Sequence, residues 1–201
     1  MTSSNIGYAH EAPNLLIRYE QLRHHEVHAA WLDWLPQAPS QIIDIGAGTG
    51  RDAGWFASQG HDVVAVEPTN ELRLGGQALH PEPNIHWLDD RLPHLTKVRA
   101  LDQDFDMALM NGVWMHLDED ERTIAMPHIA GLLRPSGRLI LNLRHGPVPQ
   151  GRRMFDVSGE ETTALADKVG LRPLMCTTTA SIQAGNIRRG VTWTNLVFEK
   201  S

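Results

Sequence analysis

The chain has 201 residues, 41% of them hydrophobic and 21% charged, an ordinary globular composition whose length favours one domain able to fold without disulfide or metal staples. Against 18 basic residues stand 24 acidic ones, a net charge of −6 with histidine neutral, which argues against a nucleic-acid-coating surface. The single cysteine forms no internal disulfide, the first residues lack a charged-then-apolar signal pattern, and no apolar run reaches the ~18 residues of a membrane span. A soluble, cytoplasmic protein without a membrane partner is expected.

Pro13 opens a stretch to Leu35 in which Leu16, Tyr19, Val27, Ala30, Trp31 and Trp34 share a helical stripe, stopped by Pro36 and Pro39. Gln41 to Ile45 is a short apolar run of the kind buried on both faces of a sheet. A glycine-rich turn, Gly46 to Gly50, leads into a helix over 52–59 closed by Gly60. The alternation repeats with a strand over 62–66, a helix capped by Thr69 and running to Leu79, and strands over 84–88 and 105–110. Asp118 and Glu121 have capping-box spacing at the head of a helix in which Pro127 predicts a kink. Arg134 to Gly137 reads as a turn into a fifth strand over 138–143, and a loop rich in Gly, Pro and Arg follows from His145 to Arg153. Ser158 and Glu161 cap another helix ended by Gly170, and strands are expected over 171–179 and 191–199. Such alternation implies an α/β fold, a mostly parallel sheet with helices on both faces.

In such sheets ligands bind beyond the carboxyl ends of the strands. The first strand ends in Asp44-Ile45-Gly46-Ala47-Gly48-Thr49-Gly50, and the second ends in Glu67, placed to accept both hydroxyls of a ribose. The glycines permit left-handed backbone and close approach to a ligand. The spacing Gly46-x-Gly48-x-Gly50 departs from the dinucleotide fingerprint G-x-G-x-x-G. Asp44 opposes a pyrophosphate and instead suits an ammonium or another cationic ligand, a description met by an adenosine with an amino-acid tail and a sulfonium.

These residues, with Val66-Glu67-Pro68, resemble the first two motifs of class I S-adenosylmethionine-dependent methyltransferases, and Leu132 to Leu139 is similar to that family's approach to its fifth strand. The resemblance implies a Rossmann-like sheet of seven strands in the order 3-2-1-4-5-7-6, the last antiparallel, and S-adenosyl-L-methionine as cofactor with S-adenosyl-L-homocysteine as product. It also implies that Asp44, Gly46, Ala47 and Gly48 contact the methionine portion. Glu67, followed by Pro68, holds the ribose; Leu88 and either Asp89 or Asp90 border the adenine; Asn111 lies near the sulfonium; and Arg18 or Tyr19 reaches the cofactor's carboxylate. Residues 1–36 would form a helical lid, 40–145 the cofactor-binding core and 146–201 the substrate-side half of one domain.

Methyl transfer from a sulfonium is an in-line displacement that needs positioning, with a base only where the acceptor carries a proton. The sequence Asn111-Gly112-Val113-Trp114 lacks the motif of enzymes that methylate amino groups of adenine or glutamine, and Cys176, read as core, matches no cytosine-attacking nucleophile. A small-molecule acceptor, acidic or aromatic, is therefore expected. Trp114 is a candidate wall of its pocket, and His116 and His145 are candidate bases or orienting groups. From Arg122 to Phe155 six arginines occur without an acidic residue, leaving −12 on the remainder; Arg144, Arg152 and Arg153 in that segment are candidates to bind a carboxylate or phosphate. His24, His25 and His28 lack a third-ligand pattern and read as a surface helix, so no metal is expected. Two other classes stay open: a non-catalytic cofactor-binding subunit and a nicotinamide-dependent oxidoreductase.

Overall fold

The computed structural model describes residues 4–201. Its centre is one seven-stranded sheet of β1 (Gln41–Ile45), β2 (Asp62–Val66), β3 (Ile85–Leu88), β4 (Phe105–Met110), β5 (Leu133–His145), β6 (Leu171–Ala180) and β7 (Thr192–Lys200). The order is β3-β2-β1-β4-β5-β7-β6. Strands β1 to β5 pair in parallel, while β7 runs antiparallel between β5 and β6. The chain leaves β1 for β2 on one side and returns to β4 on the other. The carboxyl ends of β1 and β4 therefore border the crevice where the strand order reverses.

Alternation along β1 divides the core into two layers. Ile43 and Ile45 pack with Met126 and Ile129 of α6 (Glu119–Leu132), whereas Ile42 packs on the opposite face with Ala53, Phe56 and Ala57 of α3 (Arg51–Ser58). Burial on both faces explains why β1 and β2 read as continuous apolar runs. The other helices are α1 (Tyr8–Glu20), α2 (His24–Val27), α4 (Asn70–Leu79), α5 (Thr96–Arg99), α7 (Gly159–Asp167) and α8 (Ala184–Ile187). Helix α1 lies on α4 through Ala12, Leu15 and Leu72, a small cluster apart from the two main layers. Gly75 makes that approach possible, since a Cβ there would come within 2.5 Å of Leu16.

Several local expectations change. Pro13 lies inside α1 rather than at its start, and the expected single helix to Leu35 is broken after Glu20 and again after Val27. Its stripe is divided, with Leu16 and Tyr19 packed on the α1–α4 cluster and Trp31 buried against α3. Helix α6 runs unbroken through Pro127, its start fixed by a reciprocal Asp118–Glu121 capping box. Thr69 precedes α4, but its hydroxyl accepts from Asn5 instead of capping the helix. Strand β5 begins at Leu133, ahead of the expected turn, because an irregularity between Phe105 and Met107 lets Leu133 pair with Phe105. Cys176 is exposed on the edge strand β6, which corrects its reading as core.

Candidate active site

At the end of β1 the backbone N–H groups of Gly46 and Ala47 both donate to the Val66 carbonyl, at 2.8 and 3.0 Å, and fold the turn over the end of β2. Gly46 has φ +79°, and a Cβ there would lie 2.5 Å from Val113, so both conformation and space require glycine. The carboxylate of Glu67 then bridges two loops. Its Oε2 accepts from Gly48 N–H at 2.9 Å and its Oε1 from Thr69 N–H at 2.7 Å. Burial raises the Glu67 pKa, and these backbone donors oppose that rise. Each carboxylate oxygen retains a further lone pair for a ligand hydroxyl.

Asp44 points into the same cavity and is only 2% exposed. Among the described residues no group hydrogen-bonds its buried Oδ2. Burial and the neighbouring Asp52 charge push its pKa well up, with Arg51 acting in the opposite direction. Asp52 is surrounded differently. Arg51 donates to both its oxygens at 2.9 and 2.8 Å, Asn111 Nδ2 donates at 3.1 Å, and His28 Nε2 lies 2.9 Å from Oδ1. Although burial works against the charge, His28 and Arg51 hold its pKa well below the usual carboxylate range. Asn142 donates to Asn111 and accepts from Gly112 N–H, which fixes the loop after β4.

His24, His28 and Asp52 come close together, but not on a surface helix: His24 and His28 are 5% and 1% exposed, and only His25 remains outside. His24 stacks flat on Trp55 with centroids 3.7 Å apart. The four contacts to Asp52 use the roughly four lone-pair sites of a carboxylate, and one partner is already a cation. The arrangement joins α2 to α3 through Asp52, while both ring nitrogens of His24 and Nδ1 of His28 are buried without a hydrogen-bond partner among the described residues.

The opposite wall of the cavity is built by α1 and the loop after β5. Tyr8 O–H lies 3.0 Å from His116 Nε2, while His116 Nδ1 lies 2.6 Å from the Arg153 carbonyl. A carbonyl only accepts, so Nδ1 carries the proton and Nε2 accepts from Tyr8. Arg152 stacks 3.5 Å above the Tyr8 ring centroid and donates to Glu11 at 2.7 Å, leaving its buried Nη1 without a partner among the described residues. Arg144 donates through Nη1 to the Pro147 carbonyl at 2.9 Å, and its buried Nη2 is likewise unmatched. Burial and the nearby Arg189 charge lower the Arg144 pKa. Arg144, Arg152 and Arg189 all line the cavity, whose volume is about 470 Å³, within the range of small-molecule sites.

Of the other residues singled out by sequence, Arg18, Tyr19, Ala47, Pro68, Asp90 and Asn111 line the cavity. Asp90 has its oxygens occupied by the backbone N–H groups of Arg91, Lys97 and Val98, so its carboxylate mainly holds the start of α5. Leu88 and Asp89 are not on the wall; Asp89 faces outward toward Arg73 and Lys97. Trp114 is also displaced from its expected place, being fully buried in the α6-side core. Arg153 is turned away from the cavity by ion pairs to Asp118 and Glu121, each 2.6 Å long. His145 sits off the cavity with Nε2 2.8 Å from the Thr194 hydroxyl. Tyr8 and Arg189 were not foreseen, because neither belongs to a local motif and each reaches the site only through tertiary packing.

The profile described as "Methyltransferase domain" matches residues 43–141. Uncharacterized methyltransferases of Mycobacterium bovis and Mycobacterium tuberculosis are each 30% identical over 82% of this chain; the match spans 62% of their own length. The fold is similar to that of a Burkholderia thailandensis 1,6-didemethyltoxoflavin-N1-methyltransferase solved with 1,6-didemethyltoxoflavin and S-adenosylhomocysteine, at 22% identity and TM-score 0.68 over 96% of this chain and 84% of that one. It is also similar to magnesium protoporphyrin IX methyltransferase from Synechocystis with bound S-adenosylmethionine, at 16% identity and TM-score 0.68, covering 100% and 87% of the two chains. Residues 43–141 of this chain are thus a methyltransferase domain, and its strand order, glycine turn and the carboxylate closing β2 give it the fold of the class I S-adenosylmethionine-dependent methyltransferases.

Proposed function

We propose that the chain transfers the methyl group of S-adenosylmethionine to a small acceptor bearing a carboxylate or phosphate. The observation that carries the acceptor class is the pair of buried guanidinium nitrogens on Arg144 and Arg152, unmatched among the described residues and facing a cavity shared with Asp44, Gly48 and Glu67. Buried guanidinium donors need acceptors, and two such groups on one cavity suit the several oxygens of a planar or tetrahedral oxyanion. A small-molecule acceptor also accords with the similar Burkholderia thailandensis protein, which was solved with 1,6-didemethyltoxoflavin.

The site fits the cofactor's chemistry. Asp44 offers an unsatisfied buried acceptor to the ammonium group, and Glu67 offers its remaining lone pairs to the ribose hydroxyls. A Cβ on Gly48 would meet only Tyr19, at 4.0 Å, so this backbone faces open space that a side chain would take from a ligand. Bound there, the cofactor supplies an electrophilic methyl on a sulfonium with a neutral thioether as leaving group. Asp44, Gly48 and Glu67 hold it on the β1–β2 side. Arg144 and Arg152 anchor the acceptor on the β5 side, and His116 faces the acceptor's reacting end. Helix α1 and the segment after His145 close the cavity and exclude water. Displacement then depends on these two half-sites holding nucleophile and methyl in line.

Calorimetric titration with S-adenosylmethionine, S-adenosylhomocysteine and NAD tests the cofactor assignment. Selective binding of the first two, weakened at least tenfold in Glu67→Ala, is expected; binding of NAD alone overturns it. For the acceptor, a panel of hydroxy- and amino-substituted carboxylates and phosphomonoesters is followed by S-adenosylhomocysteine release. Arg144→Met and Arg152→Met should raise acceptor KM at least tenfold with cofactor affinity unchanged, and neutral acceptors used as well as anionic ones would exclude the arginine anchor.

A further inference from the structure

We propose that Tyr8, on α1, is a catalytic residue that takes the acceptor's proton and passes its own to His116; the proposal rests on the methyl-transfer reading above. Both nitrogens of His116 are already engaged. Nδ1 donates to the Arg153 carbonyl at 2.6 Å, and Nε2 receives the Tyr8 hydroxyl at 3.0 Å. The ring therefore has no lone pair to offer an acceptor directly. The Tyr8 oxygen, having donated its hydrogen, keeps acceptor lone pairs and lies on the cavity wall. The group able to receive a proton from a ligand is thus the phenol, backed by the imidazole.

The proton balance is complete. As the acceptor's nucleophilic atom forms its bond to carbon and the carbon–sulfur bond breaks, the acceptor proton moves to the Tyr8 oxygen. The Tyr8 proton moves to His116 Nε2, and the ring becomes an imidazolium whose proton later returns to water. Tyrosine is regenerated in the same step and no external base is needed.

The surroundings set the resting protonation of the pair. Burial lowers the His116 pKa, with the Arg152 and Arg153 charges adding to the effect and the Arg153 and Gly112 carbonyls opposing it. The ring is therefore neutral and able to accept at pH 7. Asp118 and Glu121 lie beyond Arg153, and Glu11 lies beyond Arg152, so each guanidinium facing the pair has its own carboxylate. Burial raises the Tyr8 pKa and Arg152 over its ring opposes that rise, so the phenol rests protonated and passes one proton on as it receives another.

The first test needs no acceptor. In the full chain labelled with 15N-histidine, His116 should be neutral at pH 7 with the proton on Nδ1, and Tyr8→Phe should shift its Nε2 resonance without changing the tautomer. A proton on Nε2, or an imidazolium at pH 7, overturns the relay. The second test uses an acceptor from the panel whose nucleophile bears a proton at pH 7. Tyr8→Phe and His116→Gln should each lower kcat by about 100-fold, the low end for a lost general base, with cofactor affinity within threefold of wild type. The double variant should be no slower than the slower single one, and the acidic limb of the kcat–pH profile should vanish in His116→Gln. A kcat within threefold of wild type in Tyr8→Phe, with only KM raised, makes the pair a latch and refutes the relay alone. A wild-type chain that binds no S-adenosylmethionine refutes the functional reading beneath it.

Discussion

Asp44→Asn separates a carboxylate that recognises a cation from one that merely fills the turn. Its side chain is fully enclosed, with Oδ2 unmatched and Asp52 close enough to raise its pKa. Two opposite charges at a ~4 Å contact attract by about 4 kcal/mol at an effective dielectric of ~20. Much of that is offset by desolvation of the pair, so a net of about 1.5–3 kcal/mol is expected, as for hydrogen bonds to charged groups. The asparagine should therefore weaken S-adenosylmethionine binding by roughly 10- to 150-fold at 1.4 kcal/mol per decade. The sign with pH follows from the raised pKa of the free site. A cationic ligand favours the carboxylate, so binding expels the Asp44 proton wherever the free site still holds it. Affinity should be greatest above the free-site pKa and fall by up to tenfold per unit as pH drops through it, levelling off below the pKa of the bound site. Calorimetry in two buffers of different ionisation enthalpy counts the released protons. Wild type should release protons in that window and the asparagine variant none. The substitution also removes the like-charge contact with Asp52, so the denaturant midpoint should hold or rise, which shows that lost binding is not lost folding. Asp44→Asn affinity within threefold of wild type, with the same proton release, would refute the electrostatic role.

Three further outcomes follow from local geometry. Burial lowers the His24 pKa from 6.5 to about 3, so the unfolded chain binds the extra proton between those values. Stability should be complete above pH 6.5 and fall below it by up to about 1.4 kcal/mol per unit; His24→Phe, which keeps the ring on Trp55, should flatten that slope in urea titrations at pH 7 and 5, and an unchanged slope would contradict it. Asp118→Ala removes both the α6 cap and an Arg153 partner, and should cost about 1–2 kcal/mol in denaturant unfolding, whereas the neighbouring Glu119→Ala should stay within about 0.5 kcal/mol. Gly48→Ala should cost only about 1–2 kcal/mol for its left-handed backbone, φ +60°, yet reduce cofactor affinity at least tenfold. Gly46→Ala should unfold more readily because Val113 stands in its way, and equal stability of the two variants would argue against that contact.

The buried strands were legible because residues covered on both faces must be apolar, and β1, β2 and β4 have the expected bounds. The amino-terminal third was harder to read. Its apolar residues have helical spacing, but Leu16 and Tyr19 pack toward α4 and Trp31 against α3, so one periodic pattern serves separate elements. The adenine-side acids show a similar limit. A tight turn in which Asp90 N–H bonds the Leu88 carbonyl follows β3, and it leaves Asp89 facing Arg73 and Lys97 while Asp90 lies at the cavity. The carboxylate of Asp90 is then engaged by the amides of a helix whose position the linear sequence does not contain. Tyr8 could be found only by folding α1 over the sheet, since it meets a histidine 108 positions away.

The arginine-rich segment shows most clearly what charge counting leaves out. A sequence records six cations between Arg122 and Phe155 but not their partners. Arg122 reaches Glu161 and the Leu117 carbonyl, Arg134 reaches Asp106, Arg138 donates to the Trp34 carbonyl, and Arg153 joins two carboxylates at the head of α6. These four are engaged in tertiary structure. Arg144 and Arg152 each use one nitrogen in the same way and keep another buried and unmatched at the cavity. Leaving a charged donor unsatisfied costs more than a typical hydrogen bond returns, so a fold has no structural reason to leave two beside one cavity. The cost is recovered when an anion enters, and the affinity for that anion includes the relief of both donors. This is why neutral replacement of Arg144 or Arg152 should leave the protein folded while affinity for the acceptor alone is lost.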